Sequence, residues 1–400
     1  MRDVGRLAQV SQRNLAQQGF LLVFSEAGRH IGLNEAGSDA IDGNVAAAEL
    51  ALALCCARKL SADANDGMWQ KIMKTDPSEA ADFLRREVQW AAAEDGRWGD
   101  IAAAVDDVER SVRGSTVRDA ITEVVRVVNE IDPDYLAEAA DGVLQRVAAE
   151  RGRAGGYGLG EHGLVGSRVS GLLSNLVSPA KGLVYDPACG IGEALIQTWL
   201  KSAGNVQTVG HEINAQALGI ARMRSALHGV DTTFALQDVL DCDPDPDLRA
   251  DVVIAEPPFG LDWSRSQNIA DPRWAFGVPP TNSSDLAWIQ HAIAHLKPGG
   301  CAYVVTSVSA LSARHRSAAI RAELLRSGWI EAVVLLPPKM LPHTGIQLAL
   351  WVLRQADHPT VTDPVLLIDG SDSVTPETRV ASWLTLGEGR ALDDAPPHAS

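Results

Sequence analysis

Two rhythms of apolar and polar residues divide the chain. From Asn44 to about Glu150, apolar residues recur at helical spacing in AAAELALALCCARKL, ITEVVRVVNEI and LAEAADGVLQRVAAE, without convincing strand alternation. This predicts a helical domain over 41–155. The glycine-dense RGRAGGYGLGEHG, Arg151 to Gly163, marks a joint. Beyond it, short apolar runs alternate with amphipathic helical segments: LVYD then EALIQTWLKSA, TVGHE then AQALGIARMRSALHG, DVVIAEPPF then DLAWIQHAIAHL, CAYVVTS then AAIRAELLRS, and finally EAVVLLP and LALWVLR. Such alternation predicts an α/β domain over 156–370, a mostly parallel sheet with helices on both faces, followed by a tail over 371–400. At the front, within 1–40, DVGRLAQVSQRNLAQ (Asp3 to Gln17) has the spacing of a helix-turn-helix, with Gln9 in place of the usual turn glycine. Such a unit would lay its second helix in a major groove. A plain amphipathic helix fits the same residues.

Composition narrows the picture. The chain has 400 residues, 46% of them hydrophobic, enough for two domains with a core. The 51 acidic and 35 basic residues give a formal charge of −16, which opposes a polyanion. Nucleic-acid binding would need a local basic patch or a partner. The ends are polar and the longest apolar run, around Ala46 to Cys56, is short and carries Glu49, so no signal peptide or membrane span is visible. The five cysteines, Cys55, Cys56, Cys189, Cys242 and Cys301, contain no C-x-x-C pair. With no His cluster recognised at metal-ligand spacing, the expectation is a reduced cytoplasmic setting without a metal site.

The candidate chemistry lies at strand ends, where ligands sit in such folds. LVYDPACGIGEAL ends a strand in Asp186 and turns through Ala188, Cys189, Gly190 and Gly192 into a helix opening with Glu193. Glycines there let a ligand approach the backbone, and free helix N–H groups hold an anion. The third glycine of a dinucleotide fingerprint is replaced by Leu195. TVGHEINAQ ends the next strand in Glu212, placed to accept ribose hydroxyls, although an acid there is more often a solvated strand end. ALQDVLD offers Asp238 as an acceptor for an adenine amine, with a surface turn as the alternative. In EPPF, the prolines leave the carbonyls of Glu256 and Pro257 free of helix bonding and Phe259 offers a stacking face, a set suited to an exocyclic amine on a flat heterocycle. A rigid turn at the sheet edge is the bland reading.

With these segments in order, the chain resembles the class I methyltransferases that use S-adenosylmethionine. It most resembles the N6-adenine DNA methyltransferases of the type I restriction-modification kind, the modification-subunit family. DPACGIGEAL and GHEINAQALGIARMRSALHG resemble that family's cofactor segments, and RWAFGVPPTNSSDLAWIQHAIAHLKPGGCAYVV and LLPPKMLPHTGIQLALWVL follow its later ones, from about Ile131 to Gly370. The resemblance implies a Rossmann-like sheet of seven strands preceded by helices. It implies S-adenosylmethionine lying across Asp186, Ala188, Cys189, Gly190 and Gly192, with Ser167, Glu212, Ile213, Asp238 and Val239 completing the cofactor site. It also implies an adenine flipped out of DNA against Phe259, its N6 hydrogens accepted by Glu256 and Pro257, with Pro258 stiffening the tetrad, and a separate specificity subunit as partner.

Three features depart from the family pattern. Glu256 stands where Asn or Asp is usual, Leu164-Val165-Gly166 replaces the Phe/Tyr-Thr-Pro step with Ser167 the nearby hydroxyl, and about 45 residues follow LALWVLR, fewer than the long C-terminal helices that grip a specificity subunit. Two readings therefore stay open: an active adenine methyltransferase, and a catalytically weak or inactive relative that binds DNA or a partner. Methylation of a glutamine or an RNA base amine is a third reading, since it uses similar Pro-Pro tetrads.

Overall fold

The computed structural model of the chain describes residues 8–19, 43–111, 115–154, 165–178, 180–263, 269–341, 345–354 and 365–369. The expected joint from 155 to 163 and the tail over 371–400 lie outside them. Helices α1 (8–19), α2 (Gly43–Ala64), α3 (Met68–Lys74), α4 (Pro77–Glu94), α5 (Gly99–Ser111), α6 (Ser115–Glu130) and α7 (Leu136–Ala154) come first. Then follow α8 (Arg168–Val177), β1 (Gly182–Asp186), α9 (Glu193–Lys201), β2 (Val206–Glu212), α10 (Ala215–His228), β3 (Thr232–Leu236), β4 (Ala250–Ala255) and α11 (Asp285–Ala294). The last elements are β5 (Leu296–Ser307), α12 (Ser309–Ser312), α13 (Arg316–Arg326), β6 (Ile330–Leu335), β7 (Leu348–Leu353) and β8 (Leu366–Asp369).

Two compact units emerge. The helical unit runs to Val165 and takes in Gly190–Gly192 and Gln216–Asp231 from later in the chain. Its axis is α2, where Leu50, Leu52, Leu54, Cys55 and Cys56 are all fully buried, so the middle of the helix is enclosed on every side. Ala217, Ile220, Met223 and Leu227 of α10 join the same core, as does Ile191. Of the Asp3–Gln17 segment, read either as a helix-turn-helix or as a plain helix, residues 3–7 lie outside the described residues. Residues 8–19 form one uninterrupted helix across Gln9 and Val10, with Ala16 in the core and the Gln12 side chain accepting from the Asp132 N–H.

The second unit carries an eight-stranded sheet in the order β3-β2-β1-β4-β5-β7-β6-β8. β7 runs antiparallel to both its neighbours, and the other pairings are parallel. The central strands are buried on both faces, which is why they read as continuous apolar runs. Val184, Ile254, Tyr303, Val305 and Leu350 face one cluster with Leu172 and Leu173 of α8 and Leu195 of α9. Tyr185, Val253, Ala302, Val304 and Trp351 face the other, with Ile289 of α11 and Ile320 of α13. The eighth strand, one more than the resemblance implies, is the four-residue LLID, which pairs with β6 and alternates buried and exposed.

Candidate active site

Parallel registration brings the acids of the sheet-bearing unit to one end. Asp186 closes β1 and Glu212 closes β2, with Asp186 paired to Gly210. Both acids are buried, at 3% and 7% exposure, so Glu212 is not a solvated strand end. Asp186 Oδ1 accepts the Ala188 N–H at 3.0 Å, and the Cys189 N–H donates to His211 O at 2.9 Å. Glu212 Oε1 accepts the Asn214 N–H at 2.8 Å, at the entry to α10. At Gly210 an added Cβ would come within 2.9 Å of the Cys189, Leu195 and Phe234 side chains, so any larger residue would force them to shift. The loop continues through Gly190 and Gly192 at φ 54 and 76, the left-handed region that glycine occupies without strain.

Burial pushes the Asp186 carboxyl up to about 8, the negative charges of Glu212 and Glu256 add to it, and only the Ala188 N–H opposes. Ile213, beside Glu212, is 65% exposed although apolar. Asp238 is half-buried, and its Oδ1 accepts the N–H groups of Leu240 and Asp241 at 3.1 and 3.2 Å, shaping a turn. The Val239 side chain lies in the core and its carbonyl accepts from Arg273.

The tetrad follows β4 directly. Glu256 Oε2 accepts the Ser170 hydroxyl at 3.2 Å. Burial pushes the Glu256 carboxyl up to about 7, Glu193 raises it further, and the Ser170 bond pulls the other way. Pro257 is buried, Pro258 exposed, and Phe259 half-buried against the α8 and α9 face. The Gly260 N–H donates to Asp285 Oδ1 at 3.0 Å. Ser167 caps α8, its Oγ accepting the Ser170 N–H at 3.3 Å, while Glu193 Oε1 accepts the Gly166 N–H at 2.8 Å. Ser170, Glu193 and Asp285 were not among the expected site residues. Glu193 and Asp285 carry a signal, since each is an acid opening a helix.

Within the helical unit, the buried Arg224 forks onto Asp141, with Nε to Oδ1 at 2.7 Å and Nη2 to Oδ2 at 3.0 Å, and donates from Nη1 to Ile191 O at 2.9 Å. His228 Nε2 lies 3.0 Å from Asp141 Oδ2. Burial opposes ionisation of Asp141, but Arg224 and His228 outweigh it and hold the carboxyl well below the usual range. Arg224 thus ties the glycine turn to α7.

A second network was passed over in the sequence. His291 near the end of α11 and His295, the residue just past it, stand four apart, and with Asp243 their ligand atoms lie within 4.8 Å of one another. Arg273 donates to His291 Nδ1 at 2.8 Å, which puts the ring proton on Nε2, facing the Tyr185 hydroxyl at 3.0 Å. Tyr185 then donates to His211 Nδ1 at 3.0 Å. His295 spans Leu248 O and Asp243 Oδ2 at 3.1 and 3.2 Å. Every ring nitrogen of His291 and His295 is thus engaged in a network with Tyr185, Arg273, Asp243 and the Leu248 carbonyl.

A curated type I restriction enzyme HindI methylase subunit from Haemophilus influenzae is 28% identical over 264 residues, 62% of this chain and 58% of that protein. The MjaIX methylase subunit from Methanocaldococcus jannaschii is 24% identical, over 77% of this chain and 61% of its own length. The chain spans about three fifths of the length of these relatives. In fold it is similar to the crystal structure of a type I restriction-modification methyltransferase subunit from Streptococcus thermophilus, with a TM-score of 0.68 at 17% identity, covering 95% of this chain and 94% of that one. The N-6 DNA methylase family pattern matches residues 131–390, and the chain belongs to that family.

Proposed function

We propose that this protein transfers a methyl group from S-adenosylmethionine to N6 of adenine in DNA, as the modification subunit of a restriction-modification system acting with a separate specificity subunit. The observation that carries this reading is the gathering of Asp186, Glu212 and the Glu256-Phe259 tetrad at the carboxyl ends of the strands β1, β2 and β4. The chemistry of these donors fits the cofactor: a carboxyl pushed up to about 8 by burial and neighbouring negative charge is relieved by a cationic ligand. Asp186 would face the cationic methionine end, Glu212 the ribose hydroxyls, and Ile213 and Asp238 the adenine. Ala188, Cys189, Gly190 and Gly192 would supply the close backbone, with Ser167 and Val239 at its margins. When bound, the cofactor supplies an electrophilic methyl on a sulfonium.

Phe259 would hold the flipped adenine by its face, while the Glu256 carboxylate and the Pro257 carbonyl accept the two N6 hydrogens and orient the lone pair. As N6 gains positive charge, Glu256 Oε stabilises it, and a carboxyl titrating at about 7 can take the released proton and return it to water. Glu256 in the Asn/Asp place favours a second reading, a DNA- or partner-binding protein with little methyl transfer.

Calorimetry and tritiated methyl transfer test both readings. S-adenosylmethionine should bind in the micromolar range, roughly −7 to −8 kcal/mol. Asp186→Ala or Glu212→Ala should each weaken binding at least tenfold, since a charged hydrogen bond contributes roughly 1.5–3 kcal/mol. No heat at millimolar cofactor would end the methyltransferase reading. Cofactor binding with no transfer to host DNA, specificity subunit present, would establish the second.

A further inference from the structure

A cavity of about 510 Å³ opens in the sheet-bearing unit between the segment entering α11 and the segment joining β5 to α13. Asn282, Ser309 and Asp285 line it, and Arg314, His315 and Arg316 form its basic side. These three are exposed, and among the described residues neither arginine is held in an ion pair. On a chain of net charge −16, two guanidinium groups with no ion-pair partner among the described residues make this cavity a local basic spot.

The basic segment is built in. Arg321 donates to Ala310 O at 2.9 Å and to Ala313 O at 2.7 Å, fixing the turn that precedes Arg314. The Ser307 hydroxyl reaches Asp285 Oδ2 at 3.0 Å and also meets Ser309 Oγ. His315 is held at φ 57 and ψ −119, a sparsely populated state for a residue with a side chain, and makes no side-chain capping bond to α13. Asp285, the acid in the lining, is buried and has each oxygen met by a donor, Gly260 N–H and Ser307 Oγ. Its single negative charge is set against the two arginines of the same lining, which leaves the cavity with a basic excess.

We propose that this cavity seats phosphodiester groups of the DNA strand that carries the target adenine, with Arg314 and Arg316 as the phosphate contacts. The proposal rests on the DNA-methylation reading. Gly260 follows Phe259 and donates into the cavity lining, so a strand whose flipped base lies against Phe259 brings its adjoining phosphates to this rim. Planar guanidinium forks match phosphate oxygens, and such pairings position a strand without reading its sequence.

The test is anisotropy of a short fluorescein-labelled DNA duplex of mixed sequence with the full chain, from low to physiological salt. Arg314→Ala/Arg316→Ala should bind at least tenfold more weakly at low salt, with a slope of log affinity against log salt shallower by up to about 2, close to 0.9 for each phosphate no longer neutralised. Arg314→Lys/Arg316→Lys should keep most of the slope. Lys71→Ala/Lys74→Ala, an equal removal of charge on the helical unit, should stay within about twofold. Unchanged affinity and slope in the arginine-to-alanine variant, an equal weakening in the lysine control, or no binding by wild type at low salt would each overturn the proposal. So would an RNA duplex held as tightly through the same arginines. Cofactor binding and methyl transfer with undiminished DNA affinity in the double variant would sink the phosphate seat alone. An arginine-dependent DNA affinity in a protein that binds no S-adenosylmethionine would sink the methylation reading alone.

Discussion

At the scale of the residue, Glu256 decides most. Its side chain is a methylene longer than Asp, and an acceptor displaced by about an angstrom costs on the order of a hundredfold in rate. Its carboxyl is also pushed up to about 7, so near neutrality part of the population carries a proton where an acceptor is needed. Methyl transfer by wild type should therefore be slow and should climb between about pH 6 and 8 as the carboxyl ionises. Glu256→Asn should transfer faster, with no such climb, at unchanged cofactor affinity. Initial rates with tritiated cofactor at several pH values measure both, and a fully active wild type beside a dead Asn variant would make the longer carboxylate an adapted catalytic group. Asp186, Glu212, Glu256 and Phe259 were legible because each stands beside a strand-ending apolar run. Ser170 and Arg224 were not, because a serine or an arginine on a helix announces nothing until tertiary contact gives it a partner.

At the scale of the element, α10 is held by a charge inside the helical core. Arg224 is fully buried, and replacing it by Met leaves Asp141 ionised without its fork, a loss of about 3–5 kcal/mol. Urea denaturation of Arg224→Met should give that loss. Asp141→Leu/Arg224→Met should recover much of it, because both charges then leave together. Equal stability of the two variants would mean that the missing bond to Ile191 O dominates. Helices and strands were legible from period alone, since the central strands are apolar throughout and α2 is long. Membership of α10 in the helical core was not: its apolar positions read like those of a helix lying on the sheet, and only the packing of Ala217, Ile220, Met223 and Leu227 assigns it.

At the scale of the whole molecule, titration sets a preferred pH. Asp186, Glu256 and Glu49 have carboxyls raised to about 8, 7 and 7, chiefly by burial. A raised acid favours the folded state when protonated, so its contribution is full below the ordinary carboxylate value and is lost as pH rises through 7 to 8. Asp141, Asp243, Asp251 and Asp271 are lowered despite burial or by hydrogen bonds, and their contribution is lost only in acid. Thermal stability of the ligand-free protein should be highest at about pH 4, where the lowered acids are ionised and the raised ones still protonated, and should fall from there through about pH 8. Melting curves from pH 4 to 9 check this, and Asp186→Asn should flatten the alkaline side. A flat wild-type curve there would mean that Asp186 is ionised in the free protein.

The position of β7 bears on how the chain is made. It is the strand between β5 and β6, yet it is synthesised after both. All six of its residues are buried, and β6 has no neighbours except β7 and β8, which both come later. Until Leu353 has left the ribosome, the nascent chain carries β5 with an open edge and β6 with two. Such edges recruit other strands. Translation that stalls before Leu348 would thus release a chain with most of its candidate catalytic groups already made and a sheet that cannot close.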